Sequence, residues 1–355
     1  MKPVVLILFL TVALPAFAQE RYSFYQGVRQ MGMGGASVAV VNDETALLAN
    51  PAALGKLRDH YVTVVDPDVE VGTHTQQVTN NNVMGMTNPQ TALDDSLKHP
   101  DKHLNEKAQI FPSIVVPNFG MGLFAKYQID GQYNSTTTNF EYDYTNDYAA
   151  VFGFDFRFWN GVVKIGTNVR VDNRTEVHNS GIAGTSTGLT LSQLASSGVG
   201  VGSDTGILIT APVKYLPTLG AVYRDVGGTS YDLRQGLFMK TAAFPDMTPQ
   251  TVDVGLSIHP ILGNHVRSSW TVEYQDVLTL SKETEQMRRV HAGFEFNFAD
   301  AIFLRGGLNQ RYWTAGLELA VGHYQFQAAS YGEDIGVPGT PVEDRRYEVK
   351  FAFRF

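Results

Sequence analysis

The C-terminal segment constrains this chain more tightly than any other. From Arg346 to Phe355 the side chains alternate, with Tyr347, Val349, Phe351, Phe353 and Phe355 on one face and Arg346, Glu348, Lys350, Ala352 and Arg354 on the other. A two-residue period is the signature of an extended strand with two chemically different faces. It repeats upstream: Val290, Ala292, Phe294, Phe296 and Phe298 oppose Arg289, His291, Gly293, Glu295 and Asn297. Phe152, Phe154, Phe156 and Phe158 likewise oppose Gly153, Asp155 and Arg157. Charge recurs on the second face of strand after strand. A membrane barrel needs that pattern, because one face meets lipid and the other lines the lumen.

Placing strands wherever the period holds yields about fourteen, at 60–71, 108–116, 119–131, 147–158, 162–173, 203–214, 217–226, 249–259, 266–277, 288–298, 301–309, 311–320, 322–332 and 345–355. The number is even, as expected of a single-chain bacterial barrel. Connections alternate long and short, from 72–107 and then Pro117-Asn118, through 132–146 and then Asn160-Gly161, to 333–344. Gln310 is the exception, a tight junction on the long-loop side. Short periplasmic turns and longer external loops produce this asymmetry and leave both termini periplasmic. Among the loops, Asn88-Pro89 followed by Gln90 to Leu93 is a helix start, and Leu189 to Leu194 can begin a short helix.

The first eighteen residues carry Lys2, an apolar run from Val4 to Leu14 and a small-x-small end at Ala16-Phe17-Ala18. This predicts a secretory signal, residues 1–18, cleaved before Gln19. Its apolar core is shorter than the roughly 20 residues a spanning helix requires. The chain has no cysteine, which removes thiolate metal sites, iron–sulfur clusters and cysteine nucleophiles. With 35 acidic against 27 basic residues, nothing points to a nucleic-acid partner.

Residues 19–59 break the strand pattern. Gly32, Gly34 and Gly35 permit a compact turn, Asp43 can cap a short helix over Thr45 to Ala49, and Pro51 ends it. A fourteen-stranded barrel encloses more space than an eight-stranded one, so this segment, next to the periplasmic mouth, is a candidate plug, with 60–355 forming the barrel. Arg29-Gln30-Met31-Gly32-Met33-Gly34-Gly35-Ala36-Ser37-Val38-Ala39, then Asn42-Asp43 and Asn50-Pro51-Ala52-Ala53-Leu54, resembles the N-terminal hatch signature of FadL-type outer-membrane proteins. The resemblance implies an all-β, fourteen-stranded transmembrane antiparallel barrel with a hatch in its lumen, in the outer membrane of a Gram-negative-type bacterium. It implies passive transport of a hydrophobic small molecule such as a long-chain fatty acid, or, in relatives that do not transport, a scaffold or secretion-accessory role. The terminal Phe355 pattern also resembles the signal read by the outer-membrane assembly machinery.

Gly32, Gly34, Gly35, Asn50 and Pro51 are therefore the hatch and gating candidates. Gly32-Met33-Gly34-Gly35 lacks the preceding strand of a dinucleotide fingerprint. Lumen-facing charges include Asp155, Arg157, Arg170, Glu273, Arg289, Glu295, Glu348 and Arg354, and pairing between wall and plug is their expected role, since unpaired buried charge is costly. No compact Ser/His/Asp set, carboxylate pair or metal-ligand spacing appears among them, so neither catalysis nor a cofactor is expected. His291 and His323 are expected to line the interior. The expected partners are a hydrophobic small molecule or fatty acid and outer-membrane lipids.

Overall fold

The computed structural model describes residues 23–75, 86–263, 265–281 and 285–355; the expected signal peptide lies outside them. Fourteen antiparallel strands close into a ring. They are β1 (Tyr61–Val65, resuming as Asp68–Gly72), β2 (His103–Ile110, resuming as Ser113–Val116), β3 (Phe119–Asn134), β4 (Asn139–Phe158), β5 (Val163–Ala183), β6 (Ser196–Thr210) and β7 (Thr218–Arg224). The ring continues through β8 (Thr251–Ile258), β9 (Val266–Tyr274), β10 (Val290–Phe298), β11 (Ile302–Asn309), β12 (Tyr312–Val321), β13 (Tyr324–Asp334) and β14 (Glu343–Arg354). Additional short strand segments lie at Arg234–Gln235 and Ile261–Gly263. The seam joins β14 to β1, with Lys350 opposite Asp68 and Arg354 opposite Thr63. Val62 and Phe355 exchange two backbone hydrogen bonds of 2.9 Å there.

Each strand found in the ring coincides with a strand expected from alternation. Apolar side chains on the outward face are exposed all round, including Phe152, Phe156, Val171, Trp270, Leu304 and Phe351. Soluble monomers rarely expose a contiguous apolar patch beyond a few hundred Å². A belt around a closed barrel therefore faces lipid. No helix among the described residues is long and apolar enough to cross a membrane.

Strand lengths differ from expectation on one side of the barrel. β4 has 20 residues and β5 has 21, against 9 in β10 and 8 in β11. About 9–11 tilted residues span a bilayer, so β3 to β6 continue well beyond it as an external wall. The long loop expected at 132–146 is instead a tight turn at 135–138, where Asn134 Oδ1 accepts from Thr136 N and Thr137 N at 2.9 and 3.0 Å. Outward-facing Phe140 and Tyr142 on this extension are buried beneath α3 (Pro89–Lys98), which contributes Ala92 and Leu93. Asn88 Oδ1 caps α3 at Gln90 N, as the sequence predicts. Prolines interrupt two neighbouring strands, at Asp66-Pro67 and Phe111-Pro112, where Pro supplies no ladder donor. Asp66 Oδ1 accepts from Phe111 N at 2.6 Å and bridges the gap.

Candidate functional site

Residues 23–59 occupy the lumen. They contain α1 (Val28–Gly32), α2 (Ala46–Ala49) and a 3-10 turn at Pro51–Lys56. These helices are too short to satisfy their own backbone, since each helix end leaves four donors or acceptors unpaired. The barrel wall supplies many of the partners. Glu273 Oε2 accepts from Ser37 N and Val38 N at 2.8 Å each. Thr314 donates to Gly32 O at 3.1 Å, Ser257 to Ala39 O at 3.1 Å and Asn168 Nδ2 to Leu47 O at 2.8 Å. Arg224 reaches Ala49 O at 3.0 Å, and His291 Nδ1 lies 2.9 Å from Gly34 O.

Backbone contact explains the glycines. Gly34 has φ +70°, and a Cβ there would collide with the Ala292 carbonyl of β10. At Gly35, with φ +81°, a Cβ would lie 2.6 Å from His291 Nδ1. Gly32 abuts Gly316 of β12, 3.2 Å from an added Cβ. Asn50 is fully buried; its Nδ2 donates to Val38 O at 2.8 Å and its Oδ1 accepts from Ala52 N at 3.1 Å. Pro51 packs against the backbone of Gly166 on β5. Asp43 caps the turn before α2 by accepting from Thr45 N at 2.9 Å.

The eight charged candidates separate into different roles. Glu295 binds hatch residue Arg29 through Nε and Nη2 at 3.0 and 2.9 Å, and wall residue Arg305 at 2.7 Å. Arg354 pairs with hatch Glu44 at 2.9 Å, and Glu273 holds the hatch backbone as above. Arg170 pairs with Asp204 at 3.2 Å and with Asp225, and lies 4.5 Å over the Phe24 ring of the hatch. Glu348 belongs to a wall cluster, 3.0 Å from Lys107, which also meets Glu70 at 2.5 Å. Asp155 lies beside Gly55, with neither carboxylate oxygen hydrogen-bonded among the described residues. Arg157 is exposed, and Arg289 bonds Thr279 at 3.0 Å in an external connection. These two make no hatch contact in the described structure. His323 is likewise not interior: it is exposed in the β12–β13 turn, 4.8 Å from the Phe355 ring.

Sequence reading missed the hatch side of these pairs. Arg29 bridges Glu295 and Asp43, the latter at 2.5 Å. Each carboxylate favours the charged guanidinium, so Arg29 is held above its ordinary value and Asp43 well below the usual carboxylate range. Burial acts in the opposite sense on both, and the ion pairing overcomes it. Lys56, half-buried 3.3 Å from Ala39 O, is lowered to about 7, chiefly by burial and then by Arg29 and Lys164.

Above the hatch the long strands enclose an external vestibule of about 530 Å³, with Ser23 and Gln26 in its floor. A second cavity, within the hatch beside Arg29 and Lys350, holds only about 20 Å³. Among the described residues no cluster of His, Asp and Glu is arranged to hold a metal ion.

No protein-family model and no curated protein matches the chain. Solved structures do. The P. putida toluene transporter TodX aligns with TM-score 0.53 at 12% identity, covering 93% of this chain and 98% of that one. The CymD monoaromatic hydrocarbon channel gives 0.54 at 10%, covering 93% and 97%. The Ralstonia pickettii toluene transporter TbuX gives 0.52 at 13%, covering 93% and 98%. At these identities the likeness is one of fold, and it extends over nearly the whole of each chain.

Proposed function

We propose that this chain is a passive channel for a hydrophobic small molecule in the outer membrane of a Gram-negative-type bacterium, with residues 19–59 as its gate. The observation carrying this reading is a lipid-facing barrel whose lumen is filled by a segment tied to the wall through individual side-chain hydrogen bonds and ion pairs. Such ties break and re-form one at a time, whereas a plug built into the sheet would have to unzip. Proteins of the same fold include a toluene transporter and a monoaromatic hydrocarbon channel, which supports an apolar substrate here.

Ala39 of the hatch provides the test. Its Cβ lies 3.4 Å from the position a Cβ would take at Gly255 of β8, close to disulfide spacing. In Ala39→Cys/Gly255→Cys, uptake of toluene into proteoliposomes should fall at least tenfold on oxidation and recover on reduction, against a chain without other cysteines. Equal uptake in both states, with crosslinking complete, removes the moving hatch. The tightness of packing favours one second reading. With only about 20 Å³ free beside Arg29, a permanently sealed barrel would serve as a scaffold or secretion accessory, and it would show no uptake in either state.

A further inference from the structure

The external vestibule is large enough for a small ligand and has two unlike sides. Strands β3 to β5 and the β7–β8 connection present Asp130, Glu141, Asp143, Glu176 and Asp246. The connection from β13 to β14 presents Ile335, Val337 and Val342, joined by Met247 and Pro249. The basic groups at this site are already engaged. Arg174 is held by Asp147 at 2.8 Å and donates to Thr248 at 2.8 Å. His178 pairs with Asp143, and His103 lies 3.1 Å from Asp344. Among the described residues no lysine or arginine forms an ion pair with Glu141 or Asp246.

We propose that the vestibule selects amphiphiles carrying a protonated amine on an apolar body, and disfavours those ending in a carboxylate. This rests on the channel reading and names the substrate class for it. Carboxylates in a concave, low-dielectric mouth focus a negative potential that concentrates cations and repels anions. Rings of Asp and Glu give cation selectivity to pores by the same physics. The apolar side supplies a surface for the rest of the molecule, so neither feature alone would suffice. Asp130 lies 3.5 Å from Arg346 and Glu176 lies 4.0 Å from Arg174, so a fatty-acid carboxylate entering from outside would meet Glu141 and Asp246 as like charges that no lysine or arginine offsets among the described residues.

The test compares three probes of similar size, 2-phenylethylammonium, 2-phenylethanol and 3-phenylpropionate, binding to the full chain in detergent at pH 7. The expected order is ammonium, alcohol, carboxylate, with at least tenfold between the first and the last. Glu141→Gln/Asp143→Asn/Asp246→Asn should bring the two ions within threefold while leaving the alcohol unchanged. Tighter binding of the carboxylate, no binding of any probe, or an unaltered preference in the triple variant overturns the proposal. These substitutions lie on the partly exposed vestibule surface, and unchanged heat-modifiable migration would verify folding. Because binding needs no flux, charge preference with zero uptake would defeat the channel reading and leave the vestibule's selectivity standing.

Discussion

Arg29 occupies a stretch whose glycines announce close packing, yet its role depends on Glu295, 266 positions away. Alternation placed Glu295 on the lumen face but carries no information about height along the barrel or about which hatch atom lies opposite. For the same reason Arg157, one strand period from Asp155, was legible as lumen-directed but not as lying at the exposed rim. The glycines were more readable, because φ +70° at Gly34 is a backbone requirement that glycine meets without strain. Arg29→Met leaves Asp43 without its guanidinium and Glu295 with Arg305 alone. It should weaken hatch docking by about 2 kcal/mol, which is roughly thirtyfold faster amide exchange in residues 28–50, with β10 to β14 unchanged. Lys56 predicts a pH effect of definite sign. Its value of about 7 in the folded chain lies below the ordinary 10.5, so the unfolded state binds more protons between the two. Hatch protection should therefore rise from about pH 7 toward 10.5 and level off above, and Lys56→Met should lose that contribution.

At the scale of elements, strand existence was legible from period alone, and strand length was not. Phe140, Tyr142 and Tyr144 alternate with Glu141, Asp143 and Thr145, as a strand should, but the surrounding Asn, Asp and Thr also read as turn chemistry. The stretch also lies beyond the length a bilayer requires. Its outward aromatic cluster is covered by α3, a separate element whose Leu93 is fully buried there. Helix and cluster were each visible in the sequence, and their contact was not. Leu93→Ala should cost about 2–3 kcal/mol locally. The β3–β4 tip at 135–138 should then be cut faster by protease added outside, while the barrel keeps its heat-modifiable migration. Equal cleavage rates in variant and parent would show that the extension stands without its cover.

For the whole molecule, the plugged barrel follows from two sequence signals that agree, the repeated alternation and the glycine-rich segment ahead of it. The acidic vestibule was out of reach, because its lining converges from six separate stretches between Ser23 and Val342. The hatch raises a different matter, that of the order of events in time. It precedes the barrel strands in the chain, yet Gly32 O waits for Thr314, 282 residues later, and Arg29 waits for Glu295. Until those strands arrive, its short helices have no partners and little stability of their own. Pairings so distant in sequence are slow to form. The seam between β1 and β14 joins the first strand to the last, so closing the ring and seating the hatch are late steps of the same assembly. A barrel that closed first, with this segment left outside, would be complete in its sheet and open through its middle.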